Sequence, residues 1–565
     1  LPKAIQLIRV SFLIVAFTSG CRFFPSYDQG SADRGYLNVG IESQPLNLDP
    51  RFATDANSAR IGGLIYNSLL RADERGQLKP ELAEHWDMND PQTYVFDLRR
   101  DVKFHDGRRL AARDVKYTYE SILDPRNRSP KRGMLKPLNT VEELSEHRVR
   151  FRLSTPHAPF VEQFSLGIVP HAPTGTSNTT EPPLGSGPFV FLAVEPGERV
   201  VLKANASYWE GAPRVPGLVF KIVPDAMVRV LEFKNRSIDF LQNDIEPDML
   251  PWLKKNTGAS VETQQGTTFQ YIGINFNHRI LRHRKVRQAI ALAIDRDRII
   301  RHLLKDLGTP ASGVLSPLNW AYEDAVDSWP HDPERAKRLL DEAGYADPDG
   351  SGPRPRFKLS FKTTNIDLRR RIAEAFKEQL QAVGIELEIR GYEWGTFYSD
   401  VKRGNFHLFS LAWVGILDPD IYYQIFHSNS VPPDGNNRGR YANSELDALL
   451  ERGRSAVDVK ERRAIYGKVQ KIAARELPYI PLWWVKNVVV QQPALRGFVP
   501  YPDGELISLK NVAFSASSAD RMLGKPRAQA AQKDSEAWRL SAPFDNAQGN
   551  RPMSLFQRPA GRRPS

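Results

Sequence analysis

The stretch FHDGRRLAARDVKYTY, Phe104 to Tyr119, sets His105 beside Asp106 and Gly107, then adds Asp114, basic residues and two tyrosines. A His–Asp pair can orient and activate a nucleophile. No serine or cysteine is set beside it by a nucleophile motif, and the zinc pattern HExxH is absent. The segment reads as a structural turn, and no catalytic residue is assigned. Gly185-Ser186-Gly187 lacks the third glycine and the strand–helix setting of a dinucleotide site. Asp347-Pro348-Asp349-Gly350 has half the spacing of a calcium loop and reads as a turn. His407 and His427 flank Trp413 and are candidates for holding a metal complex. They follow no ligand spacing, so surface or core is the expected reading and no metal is assigned. The single cysteine, Cys21, excludes an intrachain disulfide and a cysteine-based zinc site.

The elements that would position any such group belong to a chain of 565 residues, enough for two to four domains. Its 41% hydrophobic and 25% charged residues are those of an ordinary soluble protein. The net charge of +12 invites a nucleic-acid reading. From Ser515 onward, however, nine Lys/Arg meet four Asp/Glu, so five of those charges belong to a tail rich in Ala, Gln, Pro and Ser. Residues 515–565 are expected to be a disordered basic tail, and the remaining charge a solvated surface with no nucleic-acid partner.

At the other end, Lys3 and Arg9 precede the apolar run Val10–Phe17, and Thr18, Ser19 and Gly20 lead to Cys21. The run is too short to span a bilayer and has signal-peptide proportions. Small residues before a lone cysteine resemble the lipobox of bacterial lipoproteins, with Thr18 where an aliphatic residue is usual. Residues 1–21 are thus expected to be a signal peptide with acylation of Cys21, ordinary signal cleavage being the alternative. Residues 22–35 are expected to be a flexible tether, and the protein is expected to be periplasmic or at the cell surface, membrane-anchored through that cysteine.

The body reads as α/β. YLNVGI (Tyr36–Ile41) alternates like a half-buried strand. FKLSF from Phe357, a helix capped by Asn365 and stopped by Gly384, and IELEI form a βαβ unit with parallel strands. Helices are expected at VRQAIALAI, then from Asp295 onward through Ile299, Ile300, Leu303, Leu304 and Leu307. Others begin at Asp332-Pro333 and at Asp458. Between Arg51 and His171 short strands and hairpins such as TYVFDLRR and HRVRFRLS read as an inserted α+β unit.

QPLNLDP, YNSLLRADERGQLKPELAEHW, YVFDLR, the FHDG stretch, GSGPFVF, VRQAIALAIDRDRII, HDPERAKRLLDEAGY, YANSELDALL and ELPYIPLWW occur in this order. Together they resemble the family-5 extracellular solute-binding proteins of peptide/nickel-type ABC importers, over about residues 36–514. The resemblance implies a periplasmic-binding fold of two hinged lobes plus an inserted domain, three domains in all. Lobe I would comprise 36–50, 172–268 and 482–514, the insert 51–171, and lobe III 269–481. It implies capture of a peptide or related small organic solute, delivery to a membrane ABC permease, no cofactor, and a monomer. A secreted enzyme on the same fold, or a sensor or chaperone-like binder, is the alternative.

The same resemblance places the ligand against YEWGTF, with Tyr392 and Trp394, and against LAWVGILDPD, with Trp413, Gly415 and Asp418. Thr54 and Asp55, in the loop that also holds Phe52, would approach from the first lobe. Peptide-binding members often read WxxD, their Asp pairing with the ligand ammonium; here that position is Ile416 in a shorter loop. Asp418 either substitutes for it or stabilises a turn before Pro419.

Overall fold

The computed structural model describes residues 35–515 apart from 172–181, 244, 351 and 434. Cys21, the expected signal peptide and nearly all of the expected tether and tail lie outside the described residues. Among the described residues no helix is long and apolar enough to cross a membrane.

An 11-stranded mixed sheet runs through the body. Its order from one edge is Ile385–Tyr392, Phe357–Thr364, Leu408–Trp413, Ser260–Ile274, Tyr479–Gln491, Phe240–Gln242, Leu37–Ile41, Gly217–Ile222, Arg199–Ala204 and Phe189–Glu195. The short strand Gly308–Pro310 joins Tyr479–Gln491 off this path. Ser260–Ile274 and Tyr479–Gln491 pair antiparallel from Ser260↔Gln491 to Gly273↔Tyr479, so they belong to both ends of the sheet. Their register shifts between Gln265 and Thr268. Gly266 lies in that shift, where a Cβ would sit 2.5 Å from the Val485 carbonyl oxygen. Only glycine permits that approach.

Leu37–Ile41 is buried at every residue, not half-buried as its alternation predicts. It is parallel to Gly217–Ile222 on one side and to Phe240–Gln242 on the other. Interior parallel strands are covered on both faces, so alternation there carries no solvent signal. The βαβ unit is present with parallel pairing from Phe357↔Ile385 to Thr364↔Tyr392. Its helix starts at Asp367 with Ile366 as the cap, and Asn365 makes no cap. The helix after Asp295 ends at His302, where Lys305 and Asp306 turn left-handed, so Leu303 to Leu307 do not continue it. Asp332 and Asp458 cap as expected, accepting the Arg335 and Glu461 amides at 2.8 Å.

A separate four-stranded antiparallel sheet, in the order Ala83–Asp90, Thr93–Leu98, Arg148–Leu153, Leu138–Ser145, packs with the helix Ala112–Leu123. Phe96, Phe151, Phe164 and Tyr119 fill its core. The FHDG stretch ties this unit to the main body. The His105 amide donates to the Gly185 carbonyl at 2.9 Å, and its Nε2 lies 3.1 Å from the Gly187 carbonyl. Burial lowers its pKa, which keeps it neutral in that role. Asp114 accepts the Ala111 amide at 2.8 Å and the His171 amide at 2.7 Å. Gly185 and Gly187 lie flat against the helix end at Ile65. A Cβ on Gly185 would stand 2.0 Å from the Ile65 carbonyl oxygen. These residues are scaffold, and the glycines serve packing.

Candidate functional site

The strand Leu408–Trp413 ends in a loop, 414–420, that lines two cavities together with Trp86, Met88 and Tyr94 of the four-stranded sheet and Tyr501, Asp503 and Glu505 further along the chain. Gly415 makes its turn at φ 67, a left-handed conformation that costs other residues about 1–2 kcal/mol. The far side of the loop is pinned. Both Asp418 oxygens accept from Arg462, at 2.6 and 2.5 Å, and the Asp420 amide donates to Asp418 Oδ1 at 2.8 Å. Arg454 clamps Asp420 from Nε and Nη2 at 2.8 and 2.9 Å. Asn319 Nδ2 donates to the Leu417 carbonyl at 2.6 Å. Three long-range anchors thus hold a loop whose sequence alone would leave it free.

Two cavities flank this loop and share Gly415, Leu417, Leu78, Lys131, Ser165 and Leu166. The larger, about 610 Å³, is walled largely by apolar groups, with Trp86 and Met88 from the strand Ala83–Asp90 and Trp320 and Val459 from later in the chain. Glu162 is among its few charged residues. The smaller, about 400 Å³, is formed by the helix Ala56–Ile65, the segment 501–507 and the loop, and it holds Arg60, Asp503 and Glu505. A concave, mostly apolar space with a few convergent polar groups is where a small ligand binds.

Burial and the neighbouring Asp503 push Glu505 up to about 7, against the pull of Arg60. Burial raises Asp503 as well. Glu505 therefore holds its proton more tightly in the folded chain than at the ordinary value of 4.5. The stability this contributes is complete below pH 4.5, falls as pH rises, and is gone above about pH 7. Urea midpoints should show that component in the parent and lose it in Glu505→Gln.

Of the residues expected at the site, Gly415 lines both cavities and Asp418 lines the larger one. The Asp418 carboxylate is already engaged by Arg462. Asp55 lines neither cavity; it caps the helix Ala56–Ile65, accepting the Ser58 amide at 2.9 Å, and that helix supplies Ser58 and Arg60 to the smaller cavity. Thr54 is exposed beside it. Trp394 and Trp413 line neither cavity but share one stack. The Arg438 guanidinium sits 4.7 Å from the Trp413 ring and 5.3 Å from Tyr398, and Tyr398 stacks on Trp394 at 5.3 Å. Trp413 backs onto Tyr271, while Trp394 is 53% exposed. Tyr392 lies under the Lys362 ammonium at 4.9 Å. His427 is buried against Tyr423 and Glu451, and His407 pairs with His278, so the two candidate histidines are not brought together. Glu162, Trp320, Arg60, Asp503 and Glu505 escaped the sequence reading, because they converge from segments with no shared motif.

The profile of the bacterial extracellular solute-binding proteins, family 5 (middle), matches residues 77–433. Di/tripeptide-binding protein 4 of Pseudomonas aeruginosa (strain UCBPP-PA14) is 31% identical over 509 residues, covering 84% of this chain and 94% of that one. The solved oligopeptide-binding protein AppA from Bacillus subtilis, in complex with a nonapeptide, superposes with a TM-score of 0.73 at 28% identity, over 85% of this chain and 99% of that one. NikZ from Campylobacter jejuni, in complex with Ni(L-His), gives 0.74 at 25% identity with the same coverages.

Proposed function

This chain belongs to the bacterial extracellular solute-binding proteins, family 5, and on that premise we propose that it captures a peptide or peptide-like organic solute around Gly415–Leu417. The family's members are binding proteins that hand a solute to an ABC permease. The observation that carries the peptide reading is the pair of adjoining cavities, one largely apolar and one bearing opposite charges, on the two sides of a single pinned loop. A peptide presents that mixture: side chains that gain by leaving water, and charged ends that need partners. Native mass spectrometry of the gently purified chain tests this reading. One non-covalently held peptide-sized solute per chain is expected, and none retained under any loading would refute it.

For location, we propose a lipid anchor at Cys21. Acylation there would hold the protein at a membrane without a spanning helix. Cys21→Ser should move the protein from the detergent phase to the aqueous phase in Triton X-114 partitioning. Retention in the detergent phase would exclude the anchor.

A further inference from the structure

The acidic groups around the larger cavity are not all paired. Asp418 is matched with Arg462 and Asp420 with Arg454, each through two hydrogen bonds. His157, the residue before the 3₁₀ turn Ala158–Ser165, stays neutral, because burial and then the two arginines lower its pKa to about 4. Glu162, in the 3₁₀ turn Ala158–Ser165, is left over. It lines the cavity, and its carboxyl has no hydrogen bond or ion pair among the described residues. Lys131 and Arg75 line the same space, and neither comes within ion-pair distance of it. Burial, then Asp418 and Asp420, push the Glu162 carboxyl well above the usual carboxylate range, against the pull of Arg462. A half-buried carboxyl with no hydrogen-bonded cation beside it either keeps a proton or takes a cation.

The walls around it are apolar, with Trp320, Val161 and Ile416 nearby in the lining. We infer that the larger cavity selects solutes carrying a cationic group next to apolar bulk, and that Glu162 of the inserted domain is the residue that receives the cation. This rests on the peptide reading of the cleft and adds a charge requirement to it. A cation on Glu162 gives its carboxylate the kind of partner that Asp418 and Asp420 already have. It also bridges the insert to the second lobe, because Glu162 and the paired aspartates come from different domains.

The test uses three synthetic probes in isothermal titration with the full chain: trileucine, N-acetyl-trileucine, and N-acetyl-Leu-Lys-Leu. The first carries its cation at the chain end, the third on a side chain, and the second has none. At least one cationic probe should bind about 10-fold or more tighter than N-acetyl-trileucine, as a charge-assisted bond in a desolvated wall requires. Glu162→Gln should erase that gap while its melting temperature stays at or above the parent's, since the leftover charge is gone. Which cationic probe is preferred tells whether the chain end or a side chain is read. Equal binding of all three by the parent would overturn the inference and leave the peptide cleft standing. A preference that survives in Glu162→Gln would overturn it too, placing the cation elsewhere. Binding of none of them would remove the peptide reading, and this inference with it.

Discussion

Asp418→Ala is expected to cost about 3–5 kcal/mol of folding stability, the largest loss of any single change in the site. Asp418 and Arg462 are each 6% exposed and meet through two short hydrogen bonds. Removing the carboxylate strands a guanidinium in a buried wall, left with its Nε bond to the Gly453 carbonyl, 3.0 Å, and the faces of the Trp320 and Tyr466 rings. It also releases the Asp420 amide, and with it the turn that carries Leu417 into the cleft. Replacing both partners, as Asp418→Leu with Arg462→Met, should recover most of the loss, because an apolar pair strands no charge. Urea denaturation of the two single variants and the double gives the coupling directly. If Asp418→Ala melts within about 1 kcal/mol of the parent, as an exposed pair would, the pair is not what holds the loop.

Gly415→Trp is expected to have the largest effect on binding. Nothing lies within 4 Å of a Cβ built there, and the position faces both cavities. An indole would therefore enter the space a ligand needs rather than clash with the protein. Excluding three or four apolar groups of a ligand at about 0.8 kcal/mol each weakens binding by about 100-fold or more. The fold should lose only the about 1–2 kcal/mol of a non-glycine in left-handed backbone. The two readouts separate, since affinity collapses while the melting curve moves little. An unchanged dissociation constant would mean the ligand sits elsewhere.

Local chemistry made much of the fold legible. The Asp332 and Asp458 caps, the βαβ unit and the hairpins of the insert each depend on residues a few positions apart. The errors arose where burial overrides local pattern. Leu37–Ile41 alternates yet is covered on both faces, and the apolar run to Leu307 continues past a helix that stops at His302. The cleft was harder to read. Gly415 could be found from the loop after a strand, but Asp418 could not be assigned, because its partner Arg462 is 44 residues away with no spacing to announce it. Glu162, Trp320 and Glu505 come from three segments more than 150 residues apart, and only the folded chain brings them to one cleft. The tryptophans have no such partner in sequence either. What joins Trp394 to Trp413 is Arg438, from a turn further along the chain.

A crystal structure of the chain loaded with its co-purified solute is the most direct measurement. The account predicts one solute lying across Gly415–Leu417, with apolar groups against Trp320 and charged groups toward Glu162 and Arg60. Density confined to another part of the molecule, with both cavities filled only by water, would contradict it.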